Sequence, residues 1–439
     1  MTSTIDGLVS GLSTSALISS LMQVEAAPQN LLKSKVTKQQ TALTAYQGLN
    51  TKLAALETAA QNMQKLSTWR SVAPSSTSTS VTASATSSNS NQTGSVTFDV
   101  TQLATTQVST VDAASPTTQI VKNNVQNLTV TVGGVATQVD VSADRTITGV
   151  AAAINNSGTG VKATLVTDSA GKTIMQLTGP KAGAANSFTI TGLDTGYAMA
   201  PITAAADAKI KVGGATAGAY EVSSPTNTFT NLIQGTSITV SKVESGVTVG
   251  AETDVAAISN MMKALVEAAN SALSEVKTKS ASSTSTTGGK TTVTGGPLSG
   301  DYMVKQVADK ILSSVSTGLD GYGSLSKFGV QLSRDGKLTF DEAKFKSAYT
   351  ADPAALKTAA SGFAAKVEKI ADDQQTNVTN VVTSRTSVIK TLNDQISAWD
   401  IRLSSRQAAL QKQFASLETS MGKMQSQSQW LAGQISSLG

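Results

Sequence analysis

Residues 389–424 read IKTLNDQISAWDIRLSSRQAALQKQFASLETSMGKM. The large apolar residues Ile389, Leu392, Ile396, Trp399 and Leu403 recur at steps of 3, 4, 3 and 4. That is the a/d seam of a helix built to pack against another helix. Arg406 takes the next seam position and Leu410 follows. The seam then continues through Phe414, Leu417, Met421 and Met424 to Leu431 and Ile435. The two successive steps of 4 at 406–410–414 insert a stutter that locally unwinds a supercoil. The spacing predicts one helix over about 355–437, roughly 80 residues and ~120 Å long. No globular domain covers such a length. The helix must pair with another helix of the chain, with neighbouring subunits, or both. Arg406 on the seam is either a register device or a mark of loose pairing. Gly422 and Gly433 weaken the last turns by ~1 kcal/mol each relative to alanine.

The opposite end carries the same signal. Ser13 or Ser15 can cap a helix bearing Leu17, Ile18, Leu21 and Met22. Pro28 should end or kink that helix, and it suits the first turn of the next. Tyr46, Leu49, Leu53, Leu56, Ala60 and Met63 then repeat at 3, 4, 3, 4 and 3.

Between the two ends the pattern changes to β. Residues 94–108 alternate, with Val96, Phe98, Val100 and Leu103 facing inward. Residues 128–141 predict a hairpin around Gly133-Gly134, followed by a short helix over 148–155 with Val150 and Ile154 inward. Further strands are expected at 161–166, 174–177, 188–190, 210–212, 220–222 and 237–243. A helix over 254–276 carries Ile258, Met261, Met262, Leu265 and Val266. Two Ser/Thr-rich stretches, 71–94 and 278–297, are too polar to form a packed core. Thr and Val alternate around 79–82, so the first of them can still hold an edge strand.

Composition narrows the chemistry. The chain contains no cysteine and no histidine, and only 17 of its 439 residues are aromatic. A Ser-His-Asp or Cys-His nucleophile cannot be built, and no thiolate or imidazole is available for a zinc site. The lack of cysteine excludes disulfides and is compatible with export through a channel in an unfolded state. The net charge of +5 is spread as +3, −1 and +3 over 1–94, 95–250 and 251–439. No basic patch is interleaved with aromatics, so nucleic acid is a poor partner. No apolar run reaches the ~18–20 residues of a membrane span. The first basic residue is Lys33, so the opening segment lacks the charged region of a secretory signal peptide. Gly288-Gly289-Lys290-Thr291 resembles the tail of a phosphate loop, but Thr284 stands where its first glycine belongs. Asp335-Gly336 is a hairpin turn rather than a calcium loop. The neighbouring carboxylates Asp341-Glu342 and Asp372-Asp373 point about 100° apart on a helix, as on a solvated face or a first turn. No catalytic, cofactor or metal site is expected.

Several blocks resemble the flagellar filament cap (hook-associated cap) family. They are Ile5-Asp6-Gly7-Leu8-Val9-Ser10-Gly11-Leu12, then Leu21-Met22 with Glu25 and Pro28, and Gly296-Pro297-Leu298-Ser299-Gly300-Asp301. Phe328-Gly329-Val330 with Asp335–Asp341, and Phe414, Leu417, Glu418 and Met421, complete the set. Residues 139–154 are similar to an insert shared by flagellins and caps. Ser13 departs from the aspartate common in the family, a change a helix cap tolerates.

The resemblance implies an α+β multidomain fold, with long terminal coiled-coil helices, a helical domain and sandwich-like β domains inserted in the middle. The expected division is a leg at 1–42, a helical domain at 43–70 and 251–395 with its hairpin at 328–341, and a second leg at 396–439. The β domain takes 71–127 and 205–250, and an inserted β domain takes 128–204. The seam residues for assembly are Tyr46, Leu49, Leu53, Leu56, Met63, Ile389, Leu392, Ile396, Trp399, Leu403, Leu410, Phe414, Leu417 and Met421. Leu53→Asp or Ile396→Asp is expected to abolish higher assembly and spare the fold of 95–250. The implied role is non-enzymatic. A ring of identical subunits at the distal tip of the flagellum helps exported flagellin insert, having left through the flagellum's own channel without a cleaved signal. The partners implied are other copies of the chain, flagellin, hook-filament junction proteins and an export chaperone on the C-terminal helix. The alternatives are another axial flagellar protein, or an adhesin that binds glycans or mucin through its β domains. The adhesin reading has little aromatic support, because residues 95–250 hold no tryptophan and only Tyr197 and Tyr220.

Overall fold

The structure is a computed structural model that describes residues 13–86 and 92–436. The motif at Ile5–Leu12 lies outside the described residues. Helices α1 (Thr14–Glu25) and α2 (Ala27–Gln64) open the chain, and the short α3 (Leu66–Trp69) follows. Ser13 stands at the cap position of α1 without a side-chain cap bond. The break falls at Ala26, two residues before Pro28, which has no N–H to continue the helical ladder; a backbone N–H of the cap bonds the Val24 carbonyl instead.

The chain then enters the β-rich part with β1 (Val72–Ser76), β2 (Val81–Ala85), β3 (Gly94–Gln102) and β4 (Thr106–Ala113). The hairpin β5 (Asn127–Val132) and β6 (Val135–Asp140) turns on Gly133-Gly134, with φ of 55° and 82°. Both values lie in the left-handed region that a two-residue hairpin turn requires and glycine adopts freely. Helix α4 (Ile147–Asn156) is capped by Thr146, whose hydroxyl accepts the Gly149 N–H at 3.2 Å. Strands β7 (Lys162–Thr167), β8 (Thr173–Ala182), β9 (Phe188–Thr191), β10 (Ala200–Thr203), β11 (Ala208–Val212) and β12 (Tyr220–Ser224) follow. The run ends with β13 (Thr228–Thr230), β14 (Thr236–Val240) and β15 (Glu244–Thr253).

Helix α5 (Val255–Ser280) leads to a hairpin, β16 (Ser282–Thr287) and β17 (Lys290–Gly295). Helix α6 (Tyr302–Ser316) is capped by Asp301. The small hairpin β18 (Val330–Leu332) and β19 (Leu338–Phe340) turns at Asp335-Gly336 as expected. Asp341 caps α7 (Glu342–Ala351), and α8 (Pro353–Ser436) runs for 84 residues. The fold is thus α+β, with long helices at both ends and strands between them.

The chain divides into a helical unit, Met1–Gln64 with Ser259–Gly439, and a β unit, Lys65–Ile258. The β unit holds two cores. One gathers Val72, Val81, Phe98, Val100, Ile210, Phe229, Ile238 and Val249. It lies on a five-stranded sheet, order β1-β15-β3-β11-β12, and a three-stranded one, order β13-β14-β2. The second gathers Val111, Ile120, Leu128, Val130, Val150, Ile154, Met175, Leu177 and Phe188 around α4. Its sheets run β10-β4-β8-β7 and β6-β5-β9. The second core recruits residues 111–121, upstream of position 128, where the sequence reading places its start.

Two expectations need correction. The continuous strand over 94–108 is two strands, β3 and β4, which join different sheets after the chain turns at 103–105. The polar stretch 71–94 holds the edge strand allowed near 79–82, as β2, together with the edge strand β1, but against expectation it joins a packed core by burying Val72 and Val81. The stretch 278–297 forms no packed core, as expected; it is a hairpin whose strand residues are all exposed. Threonine's β preference and a Gly288-Gly289 turn at φ of 59° and 79° form it without a core.

Candidate functional site

The long helices α2 and α8 run antiparallel, and their polar contacts step in opposite directions along the two. Gln29 donates to Asp400 Oδ1 at 2.5 Å, Arg385 to Gln39 Oε1 at 2.6 Å and Gln375 to Glu57 Oε2 at 2.5 Å. Gln64 reaches Glu368 Oε2 at 2.5 Å near the end of α2. Helix α1 extends the pairing outward, where Arg406 Nε lies 3.4 Å from Glu25.

Along this pair the seam residues fall into three environments. Tyr46, Leu49, Leu53, Leu56 and Met63 are each no more than 1% exposed. They share the helical unit with buried Leu356, Phe363, Val367 and Val378 of α8, Leu265 and Leu273 of α5, and Val304, Val307 and Ile311 of α6. Ile389, Leu392, Ile396, Trp399, Leu403 and Phe414 are half-buried, and Leu410 is buried. Leu417 and Met421 are exposed, as are Met424, Trp430, Leu431 and Ile435 beyond them. Two paired helices bury one stripe each; only additional helices close the rest.

A polar junction marks the change from core to two-helix stem, and the seam reading missed it. The Tyr46 hydroxyl donates to Asp301 Oδ2, and Asp301 Oδ1 accepts the Met303 N–H at 3.0 Å as the cap of α6. Arg385 Nη2 approaches Asp301 Oδ2 at 4.0 Å, and its guanidinium lies 5.2 Å from the centre of the Tyr46 ring. Burial first, then the bond to the Asp301 carboxylate, push the Tyr46 phenol up to about 12. Three helices are tied together at this point by residues distant in sequence. The only sequence signal was Asp301 after Gly300, a cap pattern that says nothing of Tyr46 or Arg385. Arg385 Nε is buried here without a partner, and about three turns back along α8 the buried amide of Gln374 also lacks one.

The arrangement is one of packing and docking. Among the described residues no group of three or more acidic side chains could hold a metal ion. No described helix is long and apolar enough to cross a membrane.

Comparison with known proteins agrees with this architecture. The family model described as Flagellar hook-associated protein 2 C-terminus matches residues 205–426, and its N-terminal counterpart matches 10–107. A Flagellin hook IN motif matches 127–178, where the sequence reading set the shared insert. The lateral flagellar hook-associated protein 2 of Vibrio parahaemolyticus is 29% identical over 345 residues, covering 73% of this chain and 74% of that protein. The flagellar hook-associated protein 2 of Aeromonas caviae is 25% identical over 333 residues, 70% of each chain. The D1-D2-D3 domains of the flagellar cap protein FliD from Escherichia coli share the fold. The TM-score is 0.56 at 21% identity, over 76% of this chain and 95% of that one.

Proposed function

The chain belongs to the flagellar hook-associated protein 2 family and is a flagellar cap protein, and from that premise we propose that it forms a homo-oligomeric ring at the filament tip and promotes insertion of exported flagellin beneath it. The family is structural rather than enzymatic. The observation that carries the finer reading is the outer end of α8. Leu417, Met421, Met424, Leu431 and Ile435 continue one a/d stripe, and every one of them is exposed. An open seam of this kind calls for a helix from outside the described chain. In this reading the two-helix stems are legs that engage flagellin and the hook-filament junction and let go as subunits add, while the β units form the plate. The seam is also where an export chaperone would hold the C-terminal helix before passage through the flagellar channel.

Flagellin partitioning in a strain lacking the gene tests the reading. Filaments are sheared off, and monomeric flagellin in the medium is measured against wild type. Monomer in excess, with filaments short or absent, is the expected outcome. Normal filaments without excess monomer would sink it.

A further inference from the structure

The stem carries a feature that the open seam does not explain. At the α1–α2 break lies a cleft of about 390 Å³, formed by Pro28, Leu31 and Leu32 of α2 with Ala398, Trp399 and Arg402 of α8. Leu31 on its wall is 60% exposed, and Val24 and Ile401 beside the break are exposed above 70%. Covering such side chains removes large apolar areas from water, which favours a partner here. Its rim is cationic. Arg402 lies 4.6 Å over the Trp399 ring. Lys35 and Lys38, both exposed, follow Leu31 at i+4 and i+7, on the same face of α2.

The local carboxylates are already engaged. Glu25 faces Arg406 at 3.4 Å, Asp394 faces Lys390 at 3.3 Å, and Asp400 accepts from Gln29 at 2.5 Å. None of them is paired with Lys35, Lys38 or Arg402. A concave apolar seat with uncompensated cations at its edge selects a partner with the opposite pattern.

We propose that this cleft seats one large apolar side chain from an acidic protein segment, whose carboxylates meet Lys35, Lys38 and Arg402. The cleft is walled by two helices and takes a large side chain with room to spare, which fits a protein segment better than a flat lipid surface. The inference rests on the cap reading, since it takes the stem to be the part that touches the filament. It adds the chemistry of the contact, an apolar anchor flanked by acid.

The test is cosedimentation of the full-length protein with filaments assembled from the same organism's flagellin, at about 50 and about 500 mM salt, where the screening length changes severalfold. Wild-type affinity should fall about tenfold or more with salt. Leu31→Asp should weaken binding about tenfold at both concentrations. The double variant Lys35→Glu/Lys38→Glu should weaken it about tenfold at low salt and flatten the salt dependence. All three positions are exposed, so the variants should keep the wild-type circular dichroism and melting curve. Lys357→Glu, exposed at the inner end of α8, should bind as wild type. If wild type binds and the cleft variants bind equally well, the inference is overturned and the cap reading stands. If wild type sediments with anionic phospholipid vesicles but not with filaments, the protein partner is refuted. If wild type binds no filaments and the deletion strain grows them normally, both readings fall.

Discussion

Two parts of the same helix pair carry the same spacing and end in opposite environments. In the inner part, Leu49, Leu53 and Leu56 of α2 are sealed, and Phe363, Val367 and Val378 of α8 with them. In the outer part, Ile389, Ile396 and Leu403 are only half-buried, and Leu417 and Met421 are open. The inner part shares its unit with α5, α6 and the hairpin β18–β19; Asn270 of α5, for example, grips the backbone of Leu338 through bonds of 2.7 and 2.9 Å. A heptad repeat therefore reports that a helix has a seam. It does not report how many neighbours close that seam, and that number separates a stability element from a docking element.

The largest test of this distinction is a matched pair of charge insertions. Leu53→Asp places a carboxylate where exposure is 0%. It should cost more than about 4 kcal/mol and unfold the helical unit, because it combines a lost leucine with an unpaired buried charge. Leu417→Asp, at 48% exposure, should change stability by less than about 0.5 kcal/mol yet remove higher assembly. Chemical denaturation reads the first effect and light scattering the second. Equal stability losses in the two variants would erase the difference between core and stem.

A middle-sized effect is expected at the junction between the two parts. The phenol of Tyr46 is pushed up to about 12, above the value of about 10 for the unfolded chain. The folded state thus holds the proton to higher pH than the unfolded state. The stability this gives is fully present below about pH 10 and is lost as pH rises through about 12. Tyr46→Phe abolishes that part of the pH dependence. Below pH 10 it costs about 1–3 kcal/mol, since the Asp301 carboxylate loses its buried donor. Unfolding free energies of both proteins across pH 9–12 should therefore converge at the alkaline end. Parallel curves would mean the hydroxyl does not set the junction.

How much of this was legible follows from how local each signal is. The extent of α8, the Gly133-Gly134 turn and the Asp335-Gly336 turn were readable, because period, turn glycines and caps act within a few residues. Strand β15 was missed. ESGVTVGAET is polar and glycine-broken, and it becomes a strand by lying between β1 and β3, more than 140 residues back in the chain. The contact of Tyr46 with Asp301 spans 255 residues and left no trace in either segment's pattern. The a/d spacing runs along both helices, but which stretches of it are closed depends on α5 and α6, whose positions the spacing of α2 and α8 does not encode.

The smallest effect concerns Arg406, whose place on the seam admits two meanings. Its Nε lies 3.4 Å from Glu25, and both side chains are about half exposed. An ion pair in that setting contributes at most about 1 kcal/mol, so a double-mutant cycle of Glu25→Gln with Arg406→Gln should give a coupling no larger than that. Leucine at the same position would complete the stripe and gain more from burial than the pair provides. Arg406→Leu should therefore raise the melting temperature of the stem. If the arginine sets register, the gain comes with slippage: Glu25 will no longer stand opposite position 406, and a disulfide between Glu25→Cys and Arg406→Leu neighbours such as Ser405→Cys will form in several registers instead of one. If a single crosslinked species persists in the leucine background, Arg406 marks loose pairing. The outer stem is then held in register by contacts such as Gln29–Asp400 and Gln39–Arg385.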